Sequence, residues 1–253
     1  MTIKLKYFIG NWKMFGHFSD YKIVNRINDF CKKSQKLFKT KKIVLCVPNT
    51  LIYYFNNKIT SKYISLGAQN CHHSKKNGPF TGSVNASMLQ NSGAEFIILG
   101  HSENRSEGDN NKLIKQKIIS SLDKKLHVIL CIGETLNQKR NKKTFSIIKN
   151  QLINSLDKKM NPKKIFIAYE PIWSIGTNKV PKIKDLIEII KFVKKEYKKI
   201  IKVKLNPTVL YGGSVNHKNI SLFSSISEID GFLIGGASQS SKKFIDIIKN
   251  YYK

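Results

Sequence analysis

This sequence is poor in arginine, acidic residues, proline, cysteine and long apolar runs. Its 253 residues carry 16 Asp and Glu against 45 Lys and Arg, with six prolines and four cysteines. Cys31, Cys46, Cys71 and Cys131 are scattered and form no CxxC pair, which argues against a disulfide scaffold and for a reducing, cytoplasmic setting. No stretch approaches the roughly 18 consecutive apolar residues of a membrane helix, and no apolar leader core follows Met1-Thr2-Ile3-Lys4. A soluble, non-secreted protein with no membrane partner is therefore expected. Neither a GxGxxG nor a Walker lysine motif occurs, so neither a dinucleotide nor ATP is implied, and no cofactor is expected. No Pro/Gly/Ser linker, composition break or low-complexity segment divides the chain. Residues 1–253 are expected to form a single domain.

The net charge of +29 invites a nucleic-acid reading. Two features oppose it. Only Arg26, Arg105 and Arg140 are arginines, whereas planar, bidentate recognition of bases and phosphates favours arginine. The lysines are also spread along the whole chain, and lysine, asparagine and isoleucine are abundant together, as A/T-rich codons would produce. A solvated, compositionally drifted surface is the expected reading, with nucleic acid unlikely as a partner. A small phosphorylated substrate would still gain from long-range attraction.

Short apolar runs recur at Tyr7–Gly10, Ile43–Val47, Ile64–Ala68, Phe96–Leu99, His127–Ile132, Ile165–Tyr169, Thr208–Tyr211 and Phe232–Ile234. Helical periodicity fills the gaps, as in Ile114, Ile118, Ile119 and Leu122, and again in Leu186, Ile187, Ile190 and Val193. Strands alternating with helices predict a parallel α/β sheet. Eight such units in this length suit a (β/α)8 barrel, although the pattern alone leaves a doubly wound sheet open. In a barrel, chemistry sits at the C-terminal ends of the strands. Asn11 and Lys13 lie there after the first run, His101 after the fourth, Glu170 after the sixth, Ser214 after the seventh and Gly235-Gly236 after the eighth.

The segment Ile165–Val180, IFIAYEPIWSIGTNKV, is the most informative stretch. A buried-strand run ends in one carboxylate, Glu170. A rigid proline, an aromatic and the turn Gly176-Thr177-Asn178 follow, which suits a lid. Tyr169 and Trp173 offer apolar walls, and desolvation raises a carboxyl pKa toward the range useful for a base. His101 opens the polar run SENRS, where the N–H groups of a helix start would hold its imidazole neutral. Glycine turns such as YGGS and IGG are weak motifs singly, but they permit close backbone approach to an anion at a helix start. His72 and His73 are adjacent to Cys71. Neighbouring side chains point apart in extended chain and no further ligand spacing is present, so no metal site is expected.

Taken in order, FIGNWKM, LGHSENR, IFIAYEPIWSIGTNKV and YGGSV resemble the triosephosphate isomerase family, with the likeness spanning residues 5–250. The resemblance implies a TIM barrel that interconverts dihydroxyacetone phosphate and D-glyceraldehyde 3-phosphate through an enediolate, in glycolysis and gluconeogenesis. It implies that Glu170 removes a proton beside the substrate carbonyl while His101 serves as a neutral electrophile. Lys13 would offset transition-state charge with Asn11 as a polar neighbour and Glu103 orienting it, and Gly176, Ser214, Gly235 and Gly236 would bind phosphate. A homodimer is implied, in which the loop Cys71–Gly82 reaches into a neighbouring subunit and sets Thr81 beside the partner's Asn11 and Lys13. Another phosphosugar isomerase on the same barrel would share Gly235-Gly236 without needing Lys13, His101 and Glu170. The chain also departs from the family pattern. Asn178 stands for the glycine at the lid tip, and Pro181 for the small residue after it. Ser83 and Asn104 replace a glutamate and an arginine that pair between subunits. Pro181 has no N–H for the Tyr211 hydroxyl that would clip the closed lid, so that hydroxyl is expected to lack a lid partner.

Overall fold

The computed structural model describes residues 5–251. Eight parallel strands close into a barrel in sequence order: β1 Lys6–Asn11, β2 Lys41–Cys46, β3 Ile64–Ala68, β4 Ala94–Leu99, β5 His127–Ile132, β6 Ile165–Tyr169, β7 Thr208–Tyr211 and β8 Gly231–Ile234. β1 pairs with β8, from Tyr7 opposite Gly231 to Gly10 opposite Ile234, and this ladder closes the ring. The chain is therefore a (β/α)8 TIM barrel, and the doubly wound alternative is set aside.

Alternation along each strand builds two cores. Ile9, Val44, Cys46, Phe96, Ile98, Ile129, Cys131, Phe166, Ala168, Leu210 and Leu233 fill the barrel interior as one cluster. Their neighbours, such as Phe8, Ile43, Leu45, Ile97, Leu130 and Ile167, point outward beneath the helices. Both faces of a parallel sheet are covered, so its strands read as near-continuous apolar runs.

The helices show why their periodicity was legible. In Ile183–Ile201, Leu186, Ile190, Val193, Tyr197 and Ile201 are buried, so one stripe faces the sheet while Lys184, Lys191, Lys195 and Lys199 face water. Asn110 caps the helix Asn111–Asp123 by accepting from the Leu113 N–H. Ile114 and Ile118 are buried there, with Ile119 and Leu122 packed at the margin. Among the described residues no helix is long and apolar enough to cross a membrane.

Candidate active site

The C-terminal strand ends converge on a cavity of about 270 Å³. Asn11, Lys13, His101, Glu170, Gly176, Ser214, Gly235 and Gly236 all line it. Eight of the nine residues singled out from the sequence thus meet at one mouth. The ninth, Glu103, stands behind Lys13, with Oε1 2.6 Å from Nζ. The volume lies below the roughly 300–1,000 Å³ of drug-sized ligand sites and suits a small polar molecule.

Glu170 leaves β6 with its N–H donating to the Ile132 carbonyl. Its side chain is buried, and Oε2 has no hydrogen-bond partner among the described residues. Burial pushes its pKa above the ordinary carboxylate value, against the opposing pull of His101, a hydrogen bond from Cys131 and the charge of Lys13. Room for this carboxylate comes from Gly212 at the end of β7, where a Cβ would stand 2.6 Å from the Glu170 Cγ.

His101 follows β4 and caps the short helix Ser102–Ser106 with its own ring. Its Nδ1 accepts the Glu103 N–H at 3.3 Å. An accepting Nδ1 places the ring proton of the neutral imidazole on Nε2, which points into the cavity 3.7 Å from Glu170 Oε1. Lys13 sits at φ 58, an uncommon backbone state for a lysine and one that draws attention at a site. Its N–H is tied to Asn11 Oδ1 at 3.0 Å.

On the opposite wall, Ser238 donates both its N–H and its hydroxyl to the Gly235 carbonyl, which turns the chain after β8. The lid Pro171–Val180 covers one side. Trp173 Nε1 donates to Glu134 Oε1 at 2.9 Å, the Tyr169 hydroxyl donates to the same carboxylate, and the Lys139 ammonium lies 3.6 Å from the centre of the indole. Asn178 takes φ 60, so the asparagine does adopt the left-handed turn in place of glycine.

Two sequence readings are corrected. The Tyr211 hydroxyl does have a lid partner, because Ser174 Oγ lies 3.2 Å away. The rings of His72 and His73 do not point apart. The chain bends at His73, and their centroids are 4.3 Å apart. Among the described residues no group of three or more His, Cys, Asp or Glu could hold a metal ion.

Other contributors escaped the sequence reading. Arg105 staples two strand ends, donating to the Gly100 carbonyl at 2.7 Å and the Cys131 carbonyl at 3.2 Å. It is one of only three arginines, and that scarcity was a signal to follow. Cys131 fills the floor below Glu170, and only the barrel's inward alternation points to it. Ser174 carries a hydroxyl into an otherwise apolar turn, and that polar residue between Trp173 and Ile175 is its one mark in the sequence.

Comparison with known proteins agrees with this geometry. Residues 6–251 match the family model described as triosephosphate isomerase. The chain is 35% identical to a triosephosphate isomerase of Dictyoglomus turgidum, with 98% of this chain and all of that one covered. It is 37% identical to one of Zygosaccharomyces bailii, over 95% and 96% of the two chains. The crystal structure of triosephosphate isomerase from Bartonella henselae superposes with a TM-score of 0.87 at 30% identity, covering 98% of this chain and 99% of that one. With a family match from the first strand to the last helix, and relatives aligned along nearly their full lengths, the chain belongs to the triosephosphate isomerase family.

Proposed function

We propose that Glu170 is the base and His101 the electrophile of this isomerase, with Lys13 and Asn11 supporting charge on the substrate oxygens. The protein interconverts dihydroxyacetone phosphate and D-glyceraldehyde 3-phosphate, a step of glycolysis. In this reading Glu170 takes a proton from the carbon beside the carbonyl. The electrons move onto the carbonyl oxygen, where His101 Nε2–H and the Lys13 ammonium meet the developing charge. His101 then gives its Nε2 proton to the former carbonyl oxygen and takes one from the neighbouring hydroxyl, while Glu170 returns its proton to the carbon that bore the carbonyl, so both residues end as they began and no atom or electron is gained or lost overall. Gly176, Ser214, Gly235 and Gly236 would hold the phosphate through backbone N–H groups. Glu103 would keep Lys13 in place.

The observation that carries this reading is convergence. Three chemically distinct side chains from three strand ends share one small cavity with the glycine loops. A desolvated carboxylate with a raised pKa is suited to accept a carbon-bound proton. A coupled assay for triose phosphate isomerisation, run beside Glu170→Gln from the same preparation, tests it. Turnover that survives in the variant would remove Glu170 from the role.

We further propose that the whole chain acts as one domain, in the cytoplasm and as a homodimer. All four cysteines are buried free thiols, in keeping with a reducing compartment. Met14 is 94% exposed and Phe15 60% exposed in the loop after β1, and Phe80 and Met88 are exposed around the loop Cys71–Gly82. Large apolar side chains of this kind favour a covering subunit.

A further inference from the structure

The lid contains one hydroxyl whose bonds reach outside the lid. Ser174 is fully buried, and its Oγ meets three groups. It donates to the Lys179 carbonyl at 2.5 Å, accepts the Ser214 backbone N–H at 3.1 Å, and lies 3.2 Å from the Tyr211 hydroxyl. A serine hydroxyl has one proton and two acceptor sites. With its proton given to Lys179, it accepts from both Tyr211 and Ser214, and its capacity is filled. The packing leaves little alternative. A Cβ at Gly213 would stand 2.6 Å from this Oγ and 2.2 Å from the Tyr211 hydroxyl, so only glycine lets the chain pass. One atom therefore joins the start of the lid, its trailing half, the end of β7 and the loop that lines the cavity.

The Ser214 N–H is one of the donors assigned above to the phosphate, and here it points at the lid. We propose that Ser174 is a positioning residue that holds the Ser214 N–H away from the anion pocket until substrate phosphate takes it over. Binding of the phosphate and release of the lid serine then become one exchange. Pro181 has no N–H to offer, and Ser174 anchors the trailing half of the lid two residues earlier, at Lys179. The inference rests on Ser214, Gly235 and Gly236 being the phosphate pocket.

Inorganic phosphate is the probe, read as its inhibition constant against triose phosphate together with kcat and KM. In Ser174→Ala the competing acceptor is gone, and phosphate should bind about two- to tenfold more tightly, the scale of one net hydrogen bond. KM should fall with it, while kcat does not rise. A merely structural role would weaken binding or leave it unchanged. Ser174→Cys keeps the side-chain volume with a poorer acceptor, and should shift both constants the same way if the alanine variant folds poorly. Gly236→Asp reads the pocket itself. No Cβ neighbour lies within 4 Å at that position, so the carboxylate enters freely and should abolish phosphate inhibition. If Gly236→Asp leaves phosphate inhibition intact, the pocket reading falls and this inference falls with it. If Gly236→Asp abolishes inhibition but phosphate affinity in both Ser174 variants stays within twofold of wild type or weakens, the inference alone is overturned.

Discussion

Glu170 is where function and stability oppose each other. Its carboxyl is buried, and desolvation raises its pKa against the pull of His101 and Lys13. A base must be ionised, so kcat/KM should fall as pH drops through that pKa. A pH–rate profile should place this acid limb above the ordinary carboxylate range. The linkage has the opposite sign for folding. A group whose pKa is raised on folding contributes stability below its unfolded pKa, and that contribution is lost as pH rises through the folded value. Above its unfolded pKa the buried carboxyl is therefore a cost to the fold, and Glu170→Gln relieves it. The variant should lose at least about 10²–10⁴-fold in kcat, the usual share of general acid–base catalysis. Its Tm at pH 7 should be higher than that of wild type, with the gap closing in acid. Calorimetry showing a large drop in Tm at pH 7 would mean that the carboxylate supports the fold. At this scale the chemically active residues were legible, because Glu170, His101 and Lys13 follow apolar runs inside long motifs. Arg105 and Ser174 were not, since their work is done on carbonyls and N–H groups of distant segments that no spacing along the chain reveals.

The strands were readable as elements because burial on both faces leaves uninterrupted apolar runs, and β3, β5, β6 and β7 match their runs end to end. Closure was not readable from the pattern. Whether the first strand pairs with the last depends on strand tilt and stagger, which periodicity does not encode. The lid shows the same division. Its tip turn was expected, and Asn178 takes the left-handed state there. A β-branched residue would pay roughly 1–2 kcal/mol in that state. Asn178→Val should therefore lower kcat/KM about tenfold, whereas Asn178→Gly should stay within about twofold; steady-state kinetics of the pair isolate the backbone from the side chain. Tyr211→Phe should cost about tenfold at most in kcat/KM, for a different reason from the loss of the Pro181 N–H. The hydroxyl has a partner, but Ser174 keeps its bonds to Lys179 and Ser214 after that partner is removed. The loss is then about one net hydrogen bond, roughly 0.5–1.5 kcal/mol. A larger fall would show that Tyr211 touches the substrate or the closed lid directly.

For the molecule as a whole, charge and assembly make separate predictions. The proposed dimer should appear by sedimentation at micromolar concentration, and shortening the loop at Lys76–Phe80 should yield monomers of much lower kcat. A fully active monomer would defeat that proposal. The net charge of +29 acts over longer distances and needs no contact. Its field should draw in a phosphorylated substrate, and the reach of that field is set by salt. The Debye length falls from about 30 Å at 0.01 M to about 8 Å at 0.15 M ionic strength. Across that range kcat/KM for the triose phosphate should drop several-fold while kcat stays level, because steering changes encounter and not the bound chemistry. A salt anion could imitate this by occupying the phosphate pocket, and matched ionic strengths made with anions of different size separate the two effects. Steering follows ionic strength alone, whereas occupancy follows the identity of the anion. Unphosphorylated glyceraldehyde supplies the internal control, since a neutral substrate feels neither force. A kcat/KM for the phosphorylated substrate that is flat across this range would show that the lysines, spread along the whole chain, cancel as a guide at the barrel mouth, and that the charge contributes to solubility alone.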